Sequence, residues 1–304
     1  MRFLFVSKIH EIEGNRVKGQ VQFSTGEPWR RERDGAIDIS TSVVSEAIGQ
    51  LVSWMALRDN QFTGRPVFLF ATEISLLGRV QAPATVELEA WITDQSDDSF
   101  IFSGCAKVDG KTLVEIKDCG GYFMPLGDLE DPTVTMQRFK VLTNEGLPAN
   151  PASVAFDFTS LIDEIHDLQN NQSITATKVM SPAEPFYPDH FPRFAVTPIV
   201  VINEMIAEAT RRMVHRIDHL PNHKVVSSNR LQDMRIEPMA VNDLKIKSFI
   251  RPGDTATVSV RKTESQDDQF ETIAEISVNH KRILRGRYRY RYVNSNQSNQ
   301  SNQE

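Results

Sequence analysis

The sequence predicts an α+β protein made of one unit written twice. Three observations carry that reading. The chain matches itself at a separation of about one domain, each copy holds a helix that is apolar on nearly every side, and each copy ends in a run of strands. The self-matches are IHEI at 9–12 with IDEI at 162–165, GEPW at 26–29 with AEPF at 183–186, Glu46-Ala47-Ile48 with Glu204-Met205-Ile206, and TDQSDDSF at 93–100 with TESQDDQF at 263–270. The separations rise along the chain from 153 to 170, as a duplication with loop insertions would leave them. Two such copies form a domain pair rather than a solenoid, which needs at least three repeats.

The elements follow in order. The first unit spans 1–125. Two short strands, Phe3 to Glu11 and Arg16 to Ser24, lead through a loop into a helix over Ser40 to Leu57, whose start offers the hydroxyls of Ser40, Thr41 and Ser42 as caps. Strands then run over Thr85 to Trp91, Phe100 to Lys107 and Thr112 to Met124, the last two flanking the hairpin signal Asp109-Gly110. A linker rich in Pro, Gly, Asn and Asp occupies 126–151. The second unit, 152–293, repeats the pattern with strands over Val225 to Ile236, Leu244 to Ile250, Thr255 to Lys262, Glu271 to Asn279 and Arg282 to Val293. The tail 294–304 repeats Ser-Asn-Gln and has nothing to bury, which predicts disorder.

Composition narrows the function. The 304 residues carry a net charge of −6, which argues against general affinity for nucleic acid. The N-terminal apolar run is interrupted by Lys8 and Glu11, and no run approaches a membrane span, so a cytoplasmic protein is expected. Two cysteines, Cys105 and Cys119, fit a reduced compartment. The histidines His215, His219 and His223 are spaced four apart, but Pro221 breaks the helix before the third. No carboxylate or cysteine stands at ligand spacing, so no metal is expected.

The densest chemistry lies in Glu184 to Ala209. A loop rich in proline and aromatics holds His190. Pro198 suits a helix start, and the helix that follows carries Glu204 among Val200-Val201-Ile202 and Met205-Ile206-Ala207. A carboxyl group in such surroundings has its pKa raised unless it is paired. His190-Phe191-Pro192, then Pro198, then an acid fourteen residues after the histidine resembles the signature of the hotdog-fold 3-hydroxyacyl-acyl-carrier-protein dehydratases. One element departs: Ile199 stands where that family has glycine at the helix start. The segment Ala106 to Gly110 and Arg251-Pro252-Gly253-Asp254 also resemble the family, so the likeness touches both units.

The resemblance implies a double hotdog: two curled antiparallel sheets, each around one helix, the first with a degenerate active-site loop and the second with the His-Phe-Pro motif. It implies a histidine from one unit and an acid from the other. That pairs His190 with Glu46, in Glu46-Ala47-Ile48-Gly49-Gln50, which is close to the family's Glu-Ala-x-Ala-Gln. The second composite site then holds Glu204 opposite Glu32, the position fourteen before Glu46, and lacks a base. The implied activity is dehydration of 3-hydroxyacyl thioesters to trans-2-enoyl thioesters in fatty-acid or polyketide-type synthesis, without a cofactor. Helix-start N–H groups of Ile199 and Val200 would stabilise the enolate, and Phe186, Tyr187, Phe191 and Phe194 would line the acyl tunnel. The carrier would be acyl carrier protein or coenzyme A. Acyl-thioester hydrolysis on the same fold and carrier binding without catalysis are the alternatives. For a carrier surface the candidates are Arg30, Arg31 and Arg33, and the set Arg285, Arg287, Arg289 and Arg291. That second set alternates with tyrosines and reads first as a solvated strand face. Two units in one chain already make a dimer-like body, and a homodimer of chains is compatible with it.

Overall fold

The computed structural model describes residues 3–33, 35–150, 155–214 and 234–294. In chain order, β1 (Lys8–Glu13) and β2 (Arg16–Phe23) form a hairpin. The short strands β3 (Arg30–Arg33) and β4 (Ala36–Ile39) follow, then helix α1 (Thr41–Asp59) and strands β5 (Gly64–Leu76), β6 (Val80–Ala82), β7 (Ala84–Gln95), β8 (Ser99–Val108) and β9 (Lys111–Pro125). Helices α2 (Leu126–Leu129) and α3 (Pro132–Thr143) come next. The second half holds β10 (Glu164–Gln169), β11 (Ser173–Val179), α4 (Ile199–Val214), β12 (Met234–Ile246), β13 (Thr255–Gln266), β14 (Gln269–Val278) and β15 (Lys281–Asn294).

The pairing makes the duplication visible. One antiparallel sheet runs β1-β2-β7-β8-β9-β5 and continues β12-β15-β14-β13-β11-β10, the same six-strand order read outwards from a centre. The halves join where β5 pairs with β12, Ile74 opposite Val241 and Ala71 opposite Leu244. Each half curls around its own helix: α1 packs on β7, β5 and β2, and α4 on β11 and β13. The helices also touch each other. This is the α+β double hotdog. The outermost strands β1 and β10 both carry a bulge, at Ile9/Glu11 and Ile165/Asp167. The bulges make Ile165-His166-Asp167-Leu168 the partner of Ile9-His10-Glu11-Ile12, three residues beyond the match seen in the sequence.

Local chemistry explains the elements. Ser40 caps α1, its Oγ accepting from Ser42 N–H at 3.2 Å. Residues Ala47 to Leu57 are all buried, so the helix is stable only inside a sheet that wraps it. In β15 the period-two alternation puts Tyr288 and Tyr290 inside and Arg285, Arg287 and Arg289 outside. The expected strands Val225 to Ile236 and Leu244 to Ile250 are replaced, within the described residues, by the single strand β12. Residues 225–233 lie outside the described residues, as do 295–304 and His215, His219 and His223. The linker is helical where α2 and α3 form. Asp131 caps α3 by accepting from Thr133 N–H at 2.9 Å, with Pro132 at its first position.

Strand β5 has a bulge between Phe68 and Phe70 in its pairing with β9. Opposite it, Gly121 leaves no room for a side chain, since a Cβ there would sit 1.8 Å from the Val67 carbonyl oxygen. Gly121→Ala is therefore expected to force β5 and β9 apart and to lower stability by about 3 kcal/mol, the upper end of overpacking costs. Denaturant unfolding checks this.

Candidate active site

His190 sits in the loop before α4, and the loop is tied down at several points. Phe186 is fully buried, and Tyr187 OH lies 3.0 Å from Thr197 Oγ1. His190 N–H donates to the Phe186 carbonyl at 3.0 Å, and Phe191 adopts φ +55°, a left-handed conformation that costs an aromatic residue about 1–2 kcal/mol. Arg193 holds the loop to α2: its N–H donates to the Leu129 carbonyl at 2.9 Å and its guanidinium to the Gly127 carbonyl at 2.8 Å.

The ring of His190 is fixed as well. Nδ1 lies 2.9 Å from the Val196 carbonyl, an acceptor only, so Nδ1 carries the hydrogen and Nε2 keeps its lone pair. Phe191 stacks on the ring at 4.5 Å, and Phe3 meets it edge-on at 4.8 Å. Burial pushes the imidazole pKa down to about 4, assisted by the charge of Arg65 and opposed by the Val196 bond. The imidazole is neutral at ordinary pH.

Glu46 stands in the second turn of α1. Burial raises its pKa, while a hydrogen bond from Gln50 Nε2 (3.2 Å) and the charge of Arg65 act the other way. Gln50 has further partners: its Oε1 accepts from Phe5 N–H at 2.9 Å and its Nε2 reaches the Phe3 carbonyl at 3.3 Å. One amide thus fixes the carboxyl group and the N-terminal segment that covers His190.

His190 and Glu46, from different halves, line one cavity of about 150 Å³. Its apolar wall comes from both halves, with Phe68, Phe70, Phe102 and Ile116 facing Leu244, Ile246 and Ile250. Arg65, Glu130, Arg138 and Asp189 add a charged rim, with Arg65 paired to Glu130 and its guanidinium 5.4 Å from the Phe191 ring. Ile199 lines the cavity at the start of α4, whereas the Val200 side chain is buried in the core. Intrahelical bonding begins with Ile202 N–H to Pro198 C=O at 3.2 Å, so the N–H groups of Ile199 and Val200 precede the first bonded donor.

Four sequence expectations are placed differently. Of the four tunnel aromatics only Phe191 faces this cavity. Phe186 and Tyr187 pack in the core against each other, and Phe194 lies between Phe249 (5.6 Å) and the guanidinium of Arg251 (4.0 Å). Glu32 points to solvent, because alternation along β3 turns Arg31 and Arg33 inward instead. Glu204 therefore faces Arg31, with which it forms an ion pair, and it accepts from Ser40 Oγ. Most of the arginines proposed for docking are engaged within the protein: Arg33 pairs with Glu237 at 2.6 Å, and Arg30 donates to the Gly26 and Glu27 carbonyls at 3.0 and 2.8 Å. Arg285 and Arg287 pair with Glu275 (3.3 Å) and Asp243 (3.5 Å) on the outer face of the sheet.

The Glu204 side chain is only 7% exposed, so removal of its partner leaves a buried charge. Arg31→Ala is expected to cost about 2–3 kcal/mol, below the full buried-pair range because Arg31 itself is a third exposed. The double change Arg31→Ala with Glu204→Gln should recover most of that loss in thermal melts.

Comparison with known proteins agrees with this architecture. A family model described as ApeI-like, ApeI dehydratase, matches residues 166–286, which hold the His-Phe-Pro loop and α4. The 3-hydroxyacyl-acyl-carrier-protein dehydratase FabZ of Macrococcus caseolyticus is 30% identical over 103 residues, covering 34% of this chain and 63% of that protein. FabZ of Variovorax paradoxus is likewise 30% identical over 101 residues and 61% of its length, so the chain spans less than two thirds of these relatives. Among solved structures, a chain described as an oleoyl thioesterase from Lactobacillus plantarum superposes with a TM-score of 0.55 at 12% identity, covering 91% of this chain and 96% of that one. The dehydratase domain of PpsC from Mycobacterium tuberculosis, in complex with C12:1-CoA, superposes with a TM-score of 0.51 at 10% identity, covering 96% and 100%. The chain thus has the fold shared by the hotdog-fold acyl-thioester enzymes, dehydratases and thioesterases together. Within that class its sequence likeness is to the dehydratases, and it is concentrated in the second half.

Proposed function

We propose that the chain dehydrates 3-hydroxyacyl thioesters, with His190 as base and Glu46 as acid. The observation that carries this reading is that a neutral, tautomer-fixed imidazole from one half and a carboxyl group of raised pKa from the other line one cavity with largely apolar walls. Nε2 of His190 takes the C2 proton. The electron pair moves into the C2–C3 bond as the C3–O bond breaks, and protonated Glu46 gives its proton to the leaving hydroxyl, which departs as water. The enzyme is left with an imidazolium and a carboxylate, and proton exchange with solvent resets both. Acid–base help of this kind supplies about 10²–10⁴-fold in rate. The free N–H groups at the start of α4 add stabilisation of the thioester oxygen as it gains charge. Ile199 retains the donor that glycine would supply and adds a side chain to the cavity wall. The substrate carrier is acyl carrier protein or coenzyme A. Among the described residues no helix is long and apolar enough to cross a membrane.

The test is incubation with a 3-hydroxybutyryl thioester. Growth of enoyl-thioester absorbance without thiol release is the expected result. A second reading, thioester hydrolysis with Glu46 directing water, draws on the fold shared with the thioesterase structure over most of the chain. Release of free thiol from a saturated acyl thioester, with no enoyl product from the hydroxyacyl one, would replace the first reading by the second.

A further inference from the structure

The stretch ahead of β1 takes no part in the proton transfers above, yet it forms part of the site. Phe3, Leu4, Phe5 and Val6 are all buried, and Phe3 and Leu4 line the cavity that holds His190 and Glu46. The backbone of Phe3 is tied on both sides of its Cα. Its N–H donates at 2.5 Å to Oδ2 of Asp189, the residue before the histidine. Its carbonyl accepts from Gln50 Nε2 at 3.3 Å, and the same nitrogen donates to Glu46 at 3.2 Å. One residue thus joins the loop that carries His190 to the helix that carries Glu46. Between these ties the Phe3 ring stands edge-on against the imidazole, 4.8 Å away, while Phe191 stacks on it at 4.5 Å.

The other half repeats the arrangement. In the stretch ahead of β10, the Phe158 ring lies 4.0 Å from the guanidinium of Arg31, and Phe156 packs on Trp29 at 4.9 Å. In each half, then, the stretch before the first strand lays a phenylalanine on the other half's approach to its helix. The groups covered differ in one respect. A guanidinium keeps its charge at any ordinary pH, whereas the charge of an imidazole depends on how much water reaches it.

We propose that Phe3, seated by Asp189, is a positioning residue of the His190 site: it closes the site over the imidazole and sets how much water the ring meets. A phenyl ring offers no hydrogen bond to an imidazolium, so the neutral ring is favoured while the cover is in place. The titratable and charged groups lining the same cavity are Glu46 of α1, Arg65 of β5, Cys119 of β9, Glu130 after α2, Arg138 of α3 and Asp189 itself. The wall formed by α4, β12 and the residues after β12 brings none. Removing the charge of Asp189 alone disfavours an imidazolium and moves the titration of His190 down, whereas uncovering the ring moves it up. For turnover this rests on the dehydration proposed above; for the titration it does not.

The test is an NMR titration of the His190 ring protons in the full chain, with His190→Ala to assign the signal. The wild-type midpoint is expected near pH 4. Asp189→Ala should raise it by about one pH unit or more, toward the ordinary histidine value. Asp189→Asn, which loses the charge but keeps an oxygen for the Phe3 N–H, should not raise it. Phe3→Ala should raise it at least as far as Asp189→Ala does. Because Phe3→Ala also removes core packing, Asp189→Ala, which leaves every apolar side chain in place, decides the question if the Phe3 variant does not fold. In a working dehydratase the acidic limb of kcat/KM moves with the midpoint; a midpoint that moves in a protein without that activity would keep this inference and end the dehydration reading instead. A wild-type ring titrating at the ordinary histidine value, an unmoved or lowered midpoint in Asp189→Ala, or an equal rise in Asp189→Asn would overturn the proposal.

Discussion

His190→Ala is expected to lower kcat/KM for a 3-hydroxyacyl thioester by about 10³–10⁴-fold. The loss comes from the proton acceptor, since the ring's Nδ1–H bond to the Val196 carbonyl is its only polar tie among the described residues. The pH profile gives a sharper readout. The proposed base acts only when neutral, and burial lowers its pKa to about 4, so the acidic limb of kcat/KM should fall near pH 4 rather than at the ordinary histidine value. The same depression bears on stability. Between the folded value of about 4 and the unfolded value of 6.5 the unfolded chain binds more protons at this position, so stability at this site rises with pH through that window. His190→Phe should remove that dependence while abolishing turnover. An acidic limb that stays at the ordinary histidine pH would contradict the buried, neutral imidazole described above.

Glu46→Gln is expected to cost about 10²–10³-fold in kcat/KM without loss of stability. Glutamine keeps the size of the side chain and can still accept from Gln50 Nε2, but it has no proton to give to a leaving hydroxyl. Burial raises the pKa of Glu46, so the folded protein holds a proton there that the unfolded chain releases. That makes the group increasingly unfavourable as pH rises through its raised value. The variant should therefore melt at the same temperature as the wild type in acid and at a higher one in alkali, while its activity is low throughout. A carboxylate kept only to hold the fold would show the reverse, lower stability with activity following it.

The candidate site residues stand out in the sequence more than the structure that supports them does. Glu46 and His190 were legible because each breaks an apolar or aromatic context, and a burial cost at a polar residue can be read from neighbours alone. That they line one cavity was legible only through the resemblance, because no local pattern encodes the approach of residues 144 apart in the chain. The rim formed by Arg65, Glu130 and Arg138 was not legible. Its members are ordinary surface residues in sequence, and it is the docking of α2 and α3 on the His190 loop that gathers them. The signal for those helices was available in Asp131-Pro132, a cap followed by a first-turn proline, but a stretch rich in Pro, Gly, Asn and Asp reads as linker first. A spacing of fourteen residues points to Glu32 only if both loops share one geometry. In the first half that segment is strand, and a strand's alternation hands the inward position to Arg31.

The two bulged rims of the twelve-stranded sheet have a consequence for assembly. A ribbon this long that ended in flat, greasy strands would recruit further ribbons end to end and grow into fibres. Here both ends are instead short and kinked, and they expose His10, Glu11 and Glu13 on one side and Glu164, His166 and Asp167 on the other. Like charges would face each other if two molecules paired along these margins, which disfavours extension of the ribbon from one molecule to the next.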